Sequence, residues 1–112
     1  MFKKLSQFNF HHKISENSAT TLVFFSAKSC SSCRHLKEIL ALLQIQRPKW
    51  LIYEVDAQTD MALTQEFEVF HLPSLFLFYK KQFHQEIQAE ARVPSIITAI
   101  EVALQEPAHE AP

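Results

Sequence analysis

The only two cysteines of the chain stand together in Cys30-Ser31-Ser32-Cys33. A thiolate attacks a disulfide sulfur, and a second thiol within reach can attack the resulting mixed disulfide and release the product. A pair at this spacing suits that exchange. It does not suit stapling, because so short a loop removes little chain entropy from the unfolded state. Two other readings compete. Free cysteines are often inert core residues, and cysteine pairs also bind zinc. Zinc needs four ligands, however. There is no second C-x-x-C, and His11, His12, His35, His71, His84 and His109 supply no metal-type pair beyond the adjacent His11-His12. Redox exchange, with no metal and no cofactor, is the chemistry expected.

The residues around the pair divide the labour between the two thiols. Leu36, Ile39, Leu40 and Leu43 recur at helical spacing, with Arg34, His35, Lys37 and Glu38 on the polar side. Traced backwards, the apolar stripe reaches Cys33, while Cys30 falls at the helix entrance beside Ser29. Unpaired backbone N–H groups and the positive end of the helix dipole favour an anion there. The hydroxyls of Ser31 and Ser32 can add donors, and Lys28 a screened attraction. Cys30 is therefore the expected nucleophile and Cys33 the resolving thiol.

Other elements must hold this helix in place. Leu22 to Phe25 is a continuous apolar run that fits a strand covered on both faces, and Trp50 to Val55 is a second. With the helix between them, ending near Arg47-Pro48, they predict a right-handed βαβ unit. Upstream, the alternation of Phe8 and Phe10 predicts a weak edge strand over Lys3 to Phe10, followed by a short helix over His12 to Ser18. Downstream, Asp60 is a candidate N-cap for a helix through Phe67, with Met61, Leu63 or Thr64, and Phe67 on its buried side. Pro73 opens a strand over Leu75 to Phe78, paired across Lys80-Lys81 with Phe83 to Ile87. Pro94 suits the first turn of a last helix, buried through Ile96, Ile97, Ile100, Ala103 and Leu104. Residues 107–112 read as a frayed tail, leaving one domain over residues 1–106.

Composition limits the alternatives. A chain of 112 residues, 47% apolar and 21% charged, fits one globular core. Eleven basic against twelve acidic residues give a net charge of -1 with no block of either sign, so nucleic acid is not an expected partner. The apolar runs are too short to cross a bilayer, and no long apolar run follows Lys4 as in a secretory leader. The chain reads as a cytoplasmic monomer. It contains no glycine, so type I turns are expected over primed hairpin turns.

The segment Leu22-Val-Phe-Phe-Ser-Ala-Lys-Ser-Cys-Ser-Ser-Cys33, continuing through Arg34 to Leu40, resembles the central strand, redox motif and helix of the thioredoxin family. Val55-Asp56 matches the end of that family's next strand. Phe67 to Phe78 resembles the segment with its cis-proline, and the likeness runs from about Thr20 to the last helix. It implies an α/β thioredoxin fold, a central mixed β-sheet flanked by helices in a single domain. It further implies a cis Leu72-Pro73 peptide packed against the disulfide, with the Leu72 backbone free to pair with an extended substrate. Protein disulfides and a reducing partner would be the protein's partners, met by a surface of Ser29, Ser31, Ser32, Leu72 and Pro73. A binding or assembly module with regulatory or vestigial cysteines is the alternative function.

The departures from the family pattern concern the site. Ser29 replaces the tryptophan usual before the first cysteine, and Ser31-Ser32 replaces Gly-Pro. The buried acid of the central strand falls at Phe24, with no carboxylate nearby in sequence to replace it. Glu38 replaces a helix proline, and Lys80-Lys81 replaces Asn-Gly. His71, two residues before Pro73, falls at the rim, either as a solvated side chain or as an aid to the Cys30 thiolate.

Overall fold

The computed structural model describes residues 2–112. In chain order the elements are β1 (Lys3–Lys4), α1 (Phe10–Ser15), β2 (Thr21–Ser26), α2 (Ser31–Gln46), β3 (Leu51–Asp56), α3 (Met61–Glu66), β4 (Ser74–Tyr79), β5 (Gln82–Ile87) and α4 (Val93–Leu104). They build one five-stranded sheet in the order β1-β3-β2-β4-β5. β1, β3 and β2 run parallel, whereas β4 pairs antiparallel with both β2 and β5.

Side chains alternate across a strand, so the apolar run of β2 feeds two cores. Leu22 and Phe24 pack with Leu36, Leu40 and Leu43 of α2 and with Ile96, Ile97 and Ile100 of α4. Val23 and Phe25 face the opposite side, against Phe10, Ile14, Leu63 and Phe67. All six residues of β2 are buried. The second core is largely aromatic. The Phe67 ring lies 5.3 Å from Phe10, 5.5 Å from Phe76 and 5.9 Å from Phe78, in tilted or edge-on arrangements that suit the ring quadrupoles.

The N-terminal segment differs from its sequence pattern. Its strand is confined to Lys3–Lys4, and Phe8 is 89% exposed. Asn9 Oδ1 accepts from the Ser6 N–H at 2.8 Å, and the Phe10 N–H donates to the Ser6 carbonyl at 3.0 Å. That turn rotates Phe10 into the aromatic core as the first residue of α1, which thus begins two residues earlier than the expected helix. In α3, Leu63 and Phe67 are buried but Met61 is 59% exposed. Asp60 precedes the helix without capping it through its side chain. Its Oδ1 instead accepts from the Gln7 N–H at 3.1 Å, while Gln7 Oε1 accepts from the Ala62 N–H at 3.0 Å.

Beyond α4 the chain is exposed, yet the His109 N–H donates to the His84 carbonyl at 2.8 Å. Gln85 Nε2 donates to the Pro107 carbonyl at 3.3 Å. These contacts occupy part of the otherwise open edge of β5.

The hairpin turn also departs from expectation. Tyr79 pairs with Gln82, leaving Lys80 and Lys81 as a two-residue loop with φ of 52° and 71°. Two positive φ values are the mark of a type I′ turn, whose twist matches that of the strands it joins. Strand geometry therefore overrides residue preference, at a cost of about 1–2 kcal/mol per left-handed non-glycine residue. The double substitution Lys80→Asn/Lys81→Gly is expected to stabilise the fold by roughly 1 kcal/mol and raise the thermal midpoint by about 5 °C. An unchanged or lower melting temperature in a calorimetric scan would show that the lysines carry no such cost.

Candidate functional site

The end of β2 leads through Ala27, Lys28 and Ser29 into α2. Cys30 is the N-cap of that helix, with extended backbone (φ -100°, ψ 106°). The loop before it is pinned twice: the Cys30 N–H donates to the Ala27 carbonyl at 3.2 Å, and Arg34 Nη1 donates to the Lys28 carbonyl at 3.0 Å. Cys30 and Cys33 are joined as a disulfide, their Cα atoms 5.2 Å apart.

The two sulfurs have unlike surroundings. Cys30 is half-buried, whereas Cys33 is 2% exposed on the apolar stripe of α2. Cys30 Sγ accepts the Cys33 N–H at 3.2 Å, one of the helix-terminal donors without an intrahelical partner. The Ser32 hydroxyl lies 3.4 Å from the same sulfur. Ser31 and Ser29 are exposed beside it, and among the described residues neither donates to the sulfur. Of the two serines expected to add donors, only Ser32 does so.

Across from the helix entrance, the Leu72–Pro73 peptide is cis and leads into β4. Ser74 Oγ donates to the His71 carbonyl at 2.6 Å, fixing the turn before the proline. Ser32 and Pro73 border one groove of about 560 Å³, together with His35, His71 and the exposed ring of Phe70. Leu72 is half-buried and packs toward the aromatic core. Cys30, Ser32, Cys33 and Pro73 thus cluster at one end of the sheet, with Ser29 and Ser31 on its solvent side.

A buried acid also lies here that the sequence reading did not single out. Phe24 is fully buried in apolar surroundings, its ring 5.7 Å from that of Phe2. Opposite it in the β2–β3 register stands Glu54, whose Oε2 accepts from Ser26 Oγ at 2.8 Å. Lys37 Nζ of α2 lies 3.0 Å from Oε1. A single charge inside the run Leu51-Ile-Tyr-Glu54-Val55, at the period that faces α2, was the signal available. At the end of β3, burial opposes ionisation of Asp56 but is outweighed by the Gln58 and Thr59 N–H groups, the Thr59 hydroxyl and the Lys4 charge. Its carboxyl is held below the usual range.

Comparison with known proteins agrees with this geometry. The family profile described as Thioredoxin matches residues 1–102, and the chain belongs to the thioredoxin family. Over 60 residues it is 38% identical to "Thioredoxin domain-containing protein 2" of Mus musculus, a match covering 54% of this chain and 12% of that protein. The matched region is thus a small part of a much longer relative. Mitochondrial Thioredoxin 3 from Saccharomyces cerevisiae, in its oxidised form, superposes with a TM-score of 0.76 at 23% identity, covering 93% of each chain. Thioredoxin f2 of Chlamydomonas reinhardtii gives 0.78 at 14% identity, covering 97% of this chain and 100% of that one. At such identities these likenesses show the fold. A thioredoxin domain holding a bonded C-x-x-C pair supports thiol–disulfide oxidoreductase chemistry. No helix among the described residues is long and apolar enough to cross a membrane.

The Ser32 hydroxyl can donate to a Cys30 thiolate, and a donor to the charged form stabilises the reduced state. A two-electron potential moves by about 30 mV for each 1.4 kcal/mol, and a partly exposed charged hydrogen bond contributes on the order of 1 kcal/mol. Ser32→Ala is expected to shift the Cys30–Cys33 potential by about 20 mV to more negative values. Equilibration against a glutathione couple measures it, and a shift to less negative values would contradict the donor role.

Proposed function

We propose that the protein is a thiol–disulfide oxidoreductase acting on protein disulfides, with Cys30 as nucleophile and Cys33 as resolving thiol. The observation that carries this reading is the asymmetry within the bonded pair: Cys30 caps the helix and accepts the Cys33 N–H, while Cys33 is buried on the helix stripe.

In the reducing direction the Cys30 thiolate attacks one sulfur of a substrate disulfide, and the other leaves as a thiolate that takes a proton from solvent. Cys33 then attacks Cys30 Sγ, closing the Cys30–Cys33 bond and releasing the second substrate thiol. Two electrons pass from the dithiol to the substrate. The substrate segment lies extended along the Leu72 backbone, adding a strand beside the cis Leu72–Pro73 turn, with Ser29, Ser31 and Ser32 on its other side. The groove floor of Leu36, Leu75 and Ile96 suits an apolar side chain next to the reacting cysteine.

A reducing partner regenerates the dithiol. With both cysteines of the chain committed to the active pair, a cytoplasmic setting and a monomeric state fit the reading.

In the reduced protein at neutral pH, iodoacetamide is expected to label Cys30 at least about tenfold faster than Cys33, because only the former is accessible and favoured as thiolate. Equal labelling of the two, followed by peptide mass spectrometry, would remove the assignment of roles. Substrate trapping tests the same order of events. Cys33→Ala is expected to accumulate mixed disulfides through Cys30, and Cys30→Ala few. A Cys33→Ala chain that traps nothing and a wild type that reduces no insulin disulfide would together favour a binding module instead.

A further inference from the structure

Glu54 is a charged side chain that the packing of the fold does not require. It is 7% exposed on the α2 face of the sheet, in register with the apolar Phe24. Replacing a buried ion pair by apolar residues is often neutral or stabilising, so a pair such as Lys37–Glu54 is not explained by stability. Nor is the carboxylate saturated. Oε2 accepts from the Ser26 hydroxyl at 2.8 Å, and the Lys37 ammonium lies 3.0 Å from Oε1. Apart from that ammonium, buried Oε1 has no hydrogen-bond donor among the described residues.

That carboxylate borders a cavity of about 220 Å³ which Cys33 also lines. The space is ample for water, whose share of liquid volume is about 30 Å³. Lys4, Lys28, Arg34 and Lys37 supply the cationic part of its wall, and Asp56 is its second acid. Asp56 Oδ1 already accepts from the Gln58 and Thr59 N–H groups at 2.9 and 3.3 Å, and its carboxyl is held below the usual range.

We propose that Glu54 takes the proton of Cys33 when the mixed disulfide on Cys30 is resolved, with Lys37 and Ser26 positioning its carboxylate. The role rests on the exchange reading given above. The Cys33 thiol gives its proton through water in the cavity to Glu54, and its sulfur attacks Cys30 Sγ. The Cys33–Cys30 bond forms as the bond from Cys30 to the substrate sulfur breaks, and the substrate departs as a thiolate. Glu54 afterwards returns its proton through the cavity water to solvent or to the departing thiolate. Glu54 acts through water and not by contact with sulfur, which makes it a positioning and proton-accepting group.

Single-turnover reaction of the reduced full chain with dithiobis(nitrobenzoate) separates the two steps. The first thionitrobenzoate is released when Cys30 attacks the probe, and the second when Cys33 resolves the mixed disulfide. In Glu54→Gln the first phase is expected within about twofold of wild type, and the second about tenfold slower near pH 7. The deficit should shrink as pH rises past about 9, where a thiol ionises without help. Glu54→Asp, which keeps the acid, should recover most of the second phase. If Glu54→Gln does not fold, Lys37→Met carries the test, since losing the cation should shift the pH profile of the second phase and leave the first in place. A second phase at the wild-type rate and pH dependence in whichever of these two variants is measured would overturn the role of Glu54. A wild-type chain without a fast first phase would overturn the exchange reading itself, and the role of Glu54 with it.

Discussion

The burial of β2 on both faces is the constraint on which the rest depends. Its six residues are all inside, so each neighbour must supply an apolar surface, and the register on either side is held by matching cores. β3 runs parallel to β2 and ends beside it, with Ser26 opposite Asp56, while the antiparallel β4 starts at the same end, with Ser74 opposite Phe25. Three connections therefore meet at one end of the sheet. One carries Cys30 into α2, one follows Asp56, and one brings in Pro73. The site is assembled from segments far apart in sequence because a parallel and an antiparallel neighbour place their end and their beginning together. Open sheets with parallel strands commonly hold their sites at such carboxyl ends.

A fold without glycine must still make its turns. Among the described residues the positive φ values belong to Glu68, Lys80 and Lys81. Glu68 follows Phe67, the C-cap of α3, where a left-handed residue ordinarily ends a helix. The hairpin pair is imposed by a two-residue connection. Each adopts a conformation its side chain disfavours, and the neighbouring packing must offset the cost. Phe67 lies directly before Glu68 and contacts Phe10, Phe25, Phe76, Phe78 and Phe83. Phe78 and Phe83 flank the hairpin turn. The aromatic core thus sits where the backbone is most strained.

Much of this was legible because the signals were redundant. Leu22 to Phe25 is apolar throughout, and the α2 stripe from Cys33 to Leu43 repeats at helical spacing and ends at Arg47-Pro48, so pattern and punctuation agree. Where a single signal stood alone it misled. The alternation of Phe8 and Phe10 has the period of a strand, but the Ser6–Asn9 turn breaks it, leaving Phe8 in solvent and Phe10 in the core. Met61 has the spacing of a buried residue but stands at the first position of a six-residue helix. The primed turn at Lys80-Lys81 was hidden because residue preference spoke against it while the length of the loop decided it. Glu54 was hidden for a different reason. No carboxylate lies near Phe24 in sequence, whereas strand pairing brings Glu54 into register with it.

The placement of that acid changes what the central strand can be. A carboxylate at position 24 would lie in the core formed with Leu22, Leu40, Leu77 and Ile97, where an unpaired charge is costly. One strand over, at Glu54, a carboxylate meets Lys37 from α2 and the Ser26 hydroxyl. Phe24 then gives its whole side chain to packing, including the edge-on contact with Phe2 that draws the N-terminal segment onto the sheet. Parallel neighbours in register point to the same face, so both positions look toward α2, and the charge remains beneath that helix as the aromatic ring takes its place in the core. The strand that needs apolar character on both faces is relieved of the one buried group that conflicts with it. The partner strand, half-exposed at Leu51, Tyr53 and Asp56, carries that group where counter-charges from β1 and α2 can reach it.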